Sequence, residues 1–326
     1  MLNALFWIIA LVVLLTTALP FTNSVTWWVR MWEFPRVHIA CVALAVMIGC
    51  LLFAVSYKVP MLAIMGVVLV YQTAQIFPYT ALAKTEVDLV TAPASVRPVS
   101  MLSVNVLMEN ERYDDLRVIL DREDPDVLLL METDQAWADA LDGRLDRYTT
   151  VKSHIAGDHY GMIFATRLDP VSVEFLWPDA DDTPALKAVL RAPDGTAFNF
   201  IGLHPRPPVP GNTTAVRDKQ IKNAALMTSS SDRPTVCMGD FNDVAWSWTT
   251  KRFKRYGGFV EPRVGRGMYA SFHAEHPLIR LPIDQIFLTE DVNLVSFNRL
   301  EGFGSDHFPM AVTVYFDEIE GSGNDG

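Results

Sequence analysis

The sequence predicts an α/β domain of mixed sheets carried behind a helical membrane segment, and three observations support that class. Residues 1–83 hold four charged side chains, Arg30, Glu33, Arg36 and Lys58. Residues 84–326 hold the remaining 24 of 27 bases and 37 of 38 acids, a net charge of −13. Past residue 98, short β-branched runs alternate with stretches of helical period. At 50% hydrophobic and 20% charged, the 326-residue chain is too apolar for disorder and too charged for an all-membrane bundle. An acidic domain repels polyanions, so avid sequence-independent nucleic-acid binding is not expected.

Three uncharged runs, Leu2–Leu19, Val37–Tyr57 and Met61–Ala83, each approach the roughly 20 residues that cross a bilayer as a helix. Trp27, Trp28 and Trp32 lie in the connector Pro20–Arg36, which suits an interfacial aromatic belt. Lys58-Val59-Pro60 is short enough to force the second and third runs into an antiparallel hairpin. A cleaved signal peptide does not fit the first run, which lacks a basic start and ends in Thr17-Ala18-Leu19-Pro20. One such run suits a buried soluble helix; three in succession predict a three-helix transmembrane anchor over residues 1–83, seated in the lipid bilayer. Arg30, Arg36, Lys84 and Arg97 on one side, against Lys58 on the other, predict a multi-pass protein of the inner cell membrane with a cytoplasmic C-terminal domain. Residues 84–98 read as a linker, 99–317 as one large soluble domain and 318–326 as a flexible tail. Cys41, Cys50 and Cys237 are too few and too scattered for a disulfide framework or a cysteine metal site.

Within the C-terminal domain, Val99–Val106, Val127–Met131, Gly161–Thr166, Leu186–Arg191, Ala197–Leu203, Thr235–Met238, Ile283–Leu288 and Met310–Phe316 read as strands. Tyr113–Asp121, Gln135–Leu145, Thr214–Met227 and Trp246–Tyr256 read as helices. What ends the strands is informative. Asn105 closes the first, Glu132 follows the second, His204 follows Leu203, and Asp240 and Asn242 follow Met238-Gly239. Asp306 and His307 immediately precede the last strand. Each alone reads as a turn former, a helix cap or a structural histidine. Together they are candidates to converge on one rim, where α/β proteins usually place ligand sites.

Gly239-Asp240-Phe241-Asn242, Pro282-Ile283-Asp284-Gln285-Ile286-Phe287 and Gly304-Ser305-Asp306-His307-Phe308-Pro309 resemble signature segments of the endonuclease/exonuclease/phosphatase superfamily. That superfamily includes DNase-I-like nucleases, abasic-site endonucleases, neutral sphingomyelinases and inositol-polyphosphate phosphatases. Asn105, Leu130-Met131-Glu132 and Leu203-His204 are similar to its other motifs, in the same order over residues 98–317. The hydrophobic N-terminus resembles its membrane-anchored bacterial branch. The resemblance implies a four-layer α/β sandwich, two mixed sheets flanked by helices. It also implies Mg²⁺-dependent hydrolysis of a phosphodiester, with Mn²⁺ as the alternative ion. Two positions depart from the pattern: Leu107 replaces a second polar residue after Asn105, and Met131 replaces the glutamine that often precedes the glutamate.

Under that resemblance, Glu132 and Asn105 are the metal-binding candidates, with Asp306 a metal or water contact. His307 is the general base and Asp284 its orienter, because a carboxylate on one ring nitrogen fixes the tautomer and raises the basicity of the other. Asp240 and Asn242 position water and a phosphate oxygen, and His204 donates to a phosphate oxygen. His159, Tyr160 and Arg206 are lesser substrate-binding candidates, with His273 and His276 between motifs; a solvated loop residue is the competing reading for each. The implied partner is a phosphodiester, in nucleic acid or in a lipid or small phosphoester, with nuclease the class-level label. No obligate protein partner is evident. The competing function is a catalytically silent, membrane-tethered binding module, against which joint retention of Glu132, Asp240, Asn242, Asp284 and His307 argues. Transport is disfavoured, since the three runs carry no Asp, Glu, Lys or Arg for an ion path.

Overall fold

The structure is a computed structural model that describes residues 1–178, 183–211, 213–228 and 231–317. The expected tail 318–326 lies outside the described residues. Two compact units divide the chain. Met1–Lys84 with Pro207–Ala215 and Gly265–Gly267 form one; Thr85–Arg206, Val216–Val264 and Met268–Gly326 form the other.

The first unit is built on α1 (Leu2–Ala18), the short α2 (Trp27–Arg30), α3 (Arg36–Leu52) and α4 (Lys58–Ile76). Leu2–Thr22 and Lys58–Tyr79 are long and apolar enough to cross a membrane. Trp27–Glu33 and Arg36–Leu52 make a third span only if taken together, as a pair bent by 71°. The expected run Val37–Tyr57 stops being helical at Leu52, because Phe53 is extended and Tyr57 is left-handed. Lys58-Val59-Pro60 is the first turn of α4 rather than a connector; a proline there lacks only an N–H that the helix start leaves unpaired. Small and flexible side chains such as Ala10, Ala43, Met61 and Met65 fill the interior, while Ile8, Leu11, Ile48 and Val67 face outward. Glu33 lies 3.0 Å from Arg30 and 3.9 Å from Arg36, and Arg36 donates to Gln72 (3.1 Å), which donates to Thr17 (3.0 Å). All five are buried, and burial of such charges is tolerated only with partners of this kind.

In the second unit two six-stranded sheets form. The first takes the order β11-β12-β1-β2-β4-β3 from β1 (Val99–Asn105), β2 (Val127–Met131), β3 (Thr150–His154), β4 (Met162–Thr166), β11 (Val292–Arg299) and β12 (Met310–Phe316). The second takes the order β5-β6-β7-β8-β10-β9 from β5 (Asp169–Leu176), β6 (Ala185–Arg191), β7 (Ala197–Leu203), β8 (Thr235–Asp240), β9 (Phe259–Val260) and β10 (Asp284–Thr289). Each sheet has one parallel pair at its centre, β1 with β2 and β7 with β8; the other pairs are antiparallel. A parallel pair needs a crossover, supplied by α5 (Tyr113–Glu123) and α7 (Ala215–Thr228) respectively.

Alternation along the strands creates the layers. Val99 and Met101 of β1, with Phe198 and Phe200 of β7, enter one core between the sheets. Leu102 and Val104 point the other way, onto Leu116, Ile119 and Leu120 of α5, with Trp137 of α6 (Gln135–Ala140) in the same cluster. Ile201 and Leu203 likewise meet Ile221 and Ala224 of α7, with Phe253 of α8 (Trp248–Gly257) in the same cluster. Helix, sheet, sheet, helix is the four-layer α/β sandwich of the DNase-I-like fold. Segment 85–98 is tied to this unit: the Val90 N–H donates to Leu294 O (2.8 Å), Glu86 pairs with Lys254 (2.6 Å) and Arg97 with Asp126 (2.6 Å).

Candidate active site

The topology brings the strand-end residues to one rim. Asn105, Glu132, His204 and Asp240 stand at or just past the carboxyl ends of β1, β2, β7 and β8, the four parallel-paired strands. Asp284 opens β10, antiparallel to β8, and sits opposite Asp240 in the register. His307 shortly precedes β12, antiparallel to β1. An antiparallel neighbour begins where its partner ends, so six residues spread over 200 positions share one edge.

Asn105 links the two sheets. Its Nδ2 donates to Glu132 Oε1 (2.7 Å) and Asp240 Oδ2 (3.2 Å), and its Oδ1 accepts from the Leu107 N–H (3.0 Å). Glu132 Oε2 lies 3.1 Å from His159 Nδ1, and His204 Nε2 lies 3.7 Å from Glu132 and 3.8 Å from Asp240. Burial pushes the Glu132 carboxyl up, but His204, the Asn105 amide and His159 outweigh it and hold it below its ordinary value. For His204 burial wins and lowers the imidazole, against the opposing charge of Glu132. Asp240 is buried, and that burial, with Asp284 and Glu132 nearby, pushes its carboxyl up to about 7 despite His307.

On the other side of Asp240 is a buried ion pair. His307 Nδ1 lies 2.7 Å from Asp284 Oδ2, and His307 Nε2 lies 3.6 Å from Asp240 Oδ2. Burial works to lower the imidazole, yet Asp284 and Asp240 hold it up at about 10. Backbone contacts fix both partners. The Asp284 N–H donates to Ser271 Oγ (3.0 Å), and the His307 N–H donates to Ser305 Oγ (3.0 Å), which itself donates to Asn105 O (2.8 Å). Ser305 is legible only as part of the Gly304–Pro309 segment, and Ser271, which lies between motifs, carries no signal as a catalytic type.

The remaining candidates surround this centre. Tyr160 has its ring 5.7 Å from that of His204, and the Arg206 guanidinium stands 5.4 Å from the Tyr160 ring. Asn242 is left-handed; its N–H donates to Asp240 Oδ1 (2.8 Å) while its Nδ2 donates to Pro205 O (3.0 Å). Asp306 Oδ1 lies 4.0 Å from His307 Nε2, with its carboxyl raised by burial. His273 and His276 group with Glu275 on a largely exposed loop. Two sets offer metal-ligand atoms within 4.8 Å of one another at the rim: Glu132, His204 and Asp240, and then Asp240, Asp284 and His307. Carboxylates gathered this closely, one of them forced toward its neutral form, fit a hard divalent cation.

A sequence model of the Endonuclease/Exonuclease/phosphatase family matches residues 102–307, which takes in every residue of this rim. The chain belongs to that family. With membership comes the enzyme class, a hydrolase of phosphoester bonds. No curated protein sequence matches. Solved structures share the fold at low identity. D. rerio TDP2, solved with a single-strand DNA product, is 18% identical with a TM-score of 0.55, covering 67% of this chain and 99% of its own. A Bacteroides thetaiotaomicron mannosyl-6-phosphatase is 17% identical, TM-score 0.52, covering 67% of this chain and all of its own. The catalytic domain of human Nocturnin, with a bound sulfate, is 15% identical, TM-score 0.54, covering 72% of this chain and 97% of its own.

Proposed function

We propose that this family member is a membrane-anchored, Mg²⁺-dependent phosphoesterase that hydrolyses phosphodiester bonds, with His307 and Asp284 activating the attacking water. The observation that carries the reading is the buried 2.7 Å contact between His307 Nδ1 and Asp284. It commits one ring nitrogen to the carboxylate and leaves Nε2 toward the Asp240 side of the rim. Asp284 holds the tautomer; Asp240 and Asn242 orient water and a phosphate oxygen; His204 donates to the phosphate. Glu132, steered by Asn105, holds the metal, with Asp240 at the same cluster and Asp306 as a further metal or water contact. When bound, the cation offsets charge on the phosphoryl oxygens and relieves the anionic field that keeps His307 protonated. His159, Tyr160 and Arg206 line the substrate side. Mn²⁺ substitutes for Mg²⁺ in this scheme.

Residues 1–83 are the anchor in the inner membrane, 84–98 the connection, and 99–317 the catalytic domain, facing the cytoplasm. The outward apolar faces of α1, α3 and α4 support the anchor. The substrate is a nucleic-acid or lipid-proximal phosphodiester; D. rerio TDP2, solved with single-strand DNA, supports the first.

The test compares the full-length wild type with His307→Ala on DNA, RNA, phospholipid and small phosphodiesters, with Mg²⁺ and with EDTA. EDTA-sensitive turnover that His307→Ala abolishes is expected. Turnover of none of them, together with no Mg²⁺ binding by titration, overturns the enzyme reading in favour of a silent binding module. A reporter fused after Phe316 and active only outside the inner face overturns the cytoplasmic placement.

A further inference from the structure

Directly after His307, Phe308 gathers two arginines from distant parts of the chain. The Arg299 guanidinium carbon lies 4.3 Å from the Phe308 ring centroid and that of Arg280 lies 4.9 Å from it. Each guanidinium has five N–H donors and gives one hydrogen bond to the protein: Arg299 to Ala270 O (2.7 Å) and Arg280 to Ala274 O (3.0 Å). The Arg280 Nε is buried without a partner, and so is Nδ1 of His273 on the same loop. Among the described residues no carboxylate lies within ion-pair distance of either arginine, although the domain is strongly acidic. Burial and then the Arg280 charge lower the Arg299 pKa.

Packing alone does not account for this. One guanidinium over a ring gains a cation–π contact, but a second adds like-charge repulsion that no acid among the described residues neutralises. The cluster shares its supports with the catalytic pair. The Phe308 N–H donates to Ser271 O (2.8 Å), and Ser271 Oγ in turn accepts from the Asp284 N–H. Both ends of that brace are therefore held by the residues that position His307.

We infer that Arg280, Arg299 and Phe308 form an anion subsite beside the catalytic rim, which takes a second phosphate of the substrate, one not being cleaved. This deepens the proposed phosphodiesterase reading and rests on it for the identity of the anion. Guanidinium forks match phosphate oxygens in pairs, and the unused donors of two of them supply that geometry. The substrate class is thus a phosphodiester bearing another phosphate, and the subsite discriminates it from the bare diester.

The experiment uses full-length wild type, Arg280→Gln, Arg299→Gln and the double variant. Matched substrates are thymidylyl-thymidine bare or with a terminal 5′ or 3′ phosphate, and glycerophosphoinositol with or without a ring phosphate. For the wild type, kcat/KM is expected to favour one phosphorylated member over its bare counterpart. The substitutions are expected to shrink that preference by about tenfold or more, through KM, the size set by losing a charge-assisted contact. Which pair shows the preference separates a nucleotide source from a lipid one. Equal rates on all matched pairs, or a preference that survives the double variant, overturn the subsite. Pyrophosphate binding measured by calorimetry covers the case of no turnover. Binding lost in the double variant keeps the subsite while the phosphodiesterase reading fails, and binding unaltered by it overturns the subsite.

Discussion

Asp284→Asn is the sharpest perturbation of the site because it keeps the shape of the side chain and removes only its charge. At 2.7 Å, with both groups buried, the pair interacts by roughly 6 kcal/mol at an effective dielectric constant of about 20. At 1.36 kcal/mol per pKa unit that is about four units. It carries the imidazole from about 10 back toward its ordinary 6.5. The substitution therefore frees His307 of its proton more readily but leaves it a weaker base with an unfixed tautomer, and the lost orientation carries the expected loss of rate. We expect kcat to fall about 10²-fold for Asp284→Asn and about 10²- to 10⁴-fold for His307→Ala. The double variant should lie within about threefold of His307→Ala, since the two residues act as one unit. Single-turnover rates on whichever diester the wild type cleaves measure this. Thermal melts run alongside, because breaking a buried pair also destabilises the fold. If the two losses multiply, the residues act independently and the general-base assignment fails.

The sequence carries its clearest signal where strands are buried on both faces. β1, β2, β7 and β8 read as apolar runs because helices cover one side of each sheet and the other sheet covers the opposite side. Edge strands lose that signal. β3 is largely exposed along Thr150–His154, and β5 opens with Asp169-Pro170, so neither looks like a strand. β11 is masked by its polar alternation, Asn293, Ser296 and Asn298 standing among its apolar residues. The helix expected over Gln135–Leu145 stops at Ala140, short of Asp142-Gly143, where Gly143 is left-handed. The candidate rim is legible because parallel strands present polar residues at their carboxyl ends, a local pattern. Arg280 and Arg299 are not, since only the folded chain brings them to Phe308. The bend between α2 and α3 has a local cause in Pro35, which precedes the new helix, and a tertiary one in Glu33 pairing with both Arg30 and Arg36 inside the unit.

Glu132→Gln should differ in kind from His307→Ala: its activity should need more Mg²⁺ and recover in part with excess metal, while His307→Ala should not recover. Rates across a Mg²⁺ titration check this, and rescue of both variants alike would move His307 into metal or phosphate binding. Deleting residues 1–83 should leave a soluble, folded and active domain, read by gel filtration and turnover. An aggregated product that binds no Mg²⁺ would show that those residues complete the fold, for instance because the Thr214 N–H has lost Val25 O (2.7 Å). Gly239 stands where β8 delivers Asp240 to the rim. Its φ is +142°, and a Cβ there would stand 2.0 Å from Leu203 O, a backbone atom that cannot rotate away. Gly239→Ala must therefore separate β7 from β8 at the point where His204 and Asp240 leave them, at a cost above about 3 kcal/mol. Gly195→Ala is the control, since its φ is +94° but nothing lies within 4 Å of its Cβ. It should lose about 1 kcal/mol from conformation alone and keep full activity. Denaturant melts and rates on both variants separate contact from backbone strain. Equal loss of stability in the two would mean that the close approach of β7 and β8 does not hold the rim together.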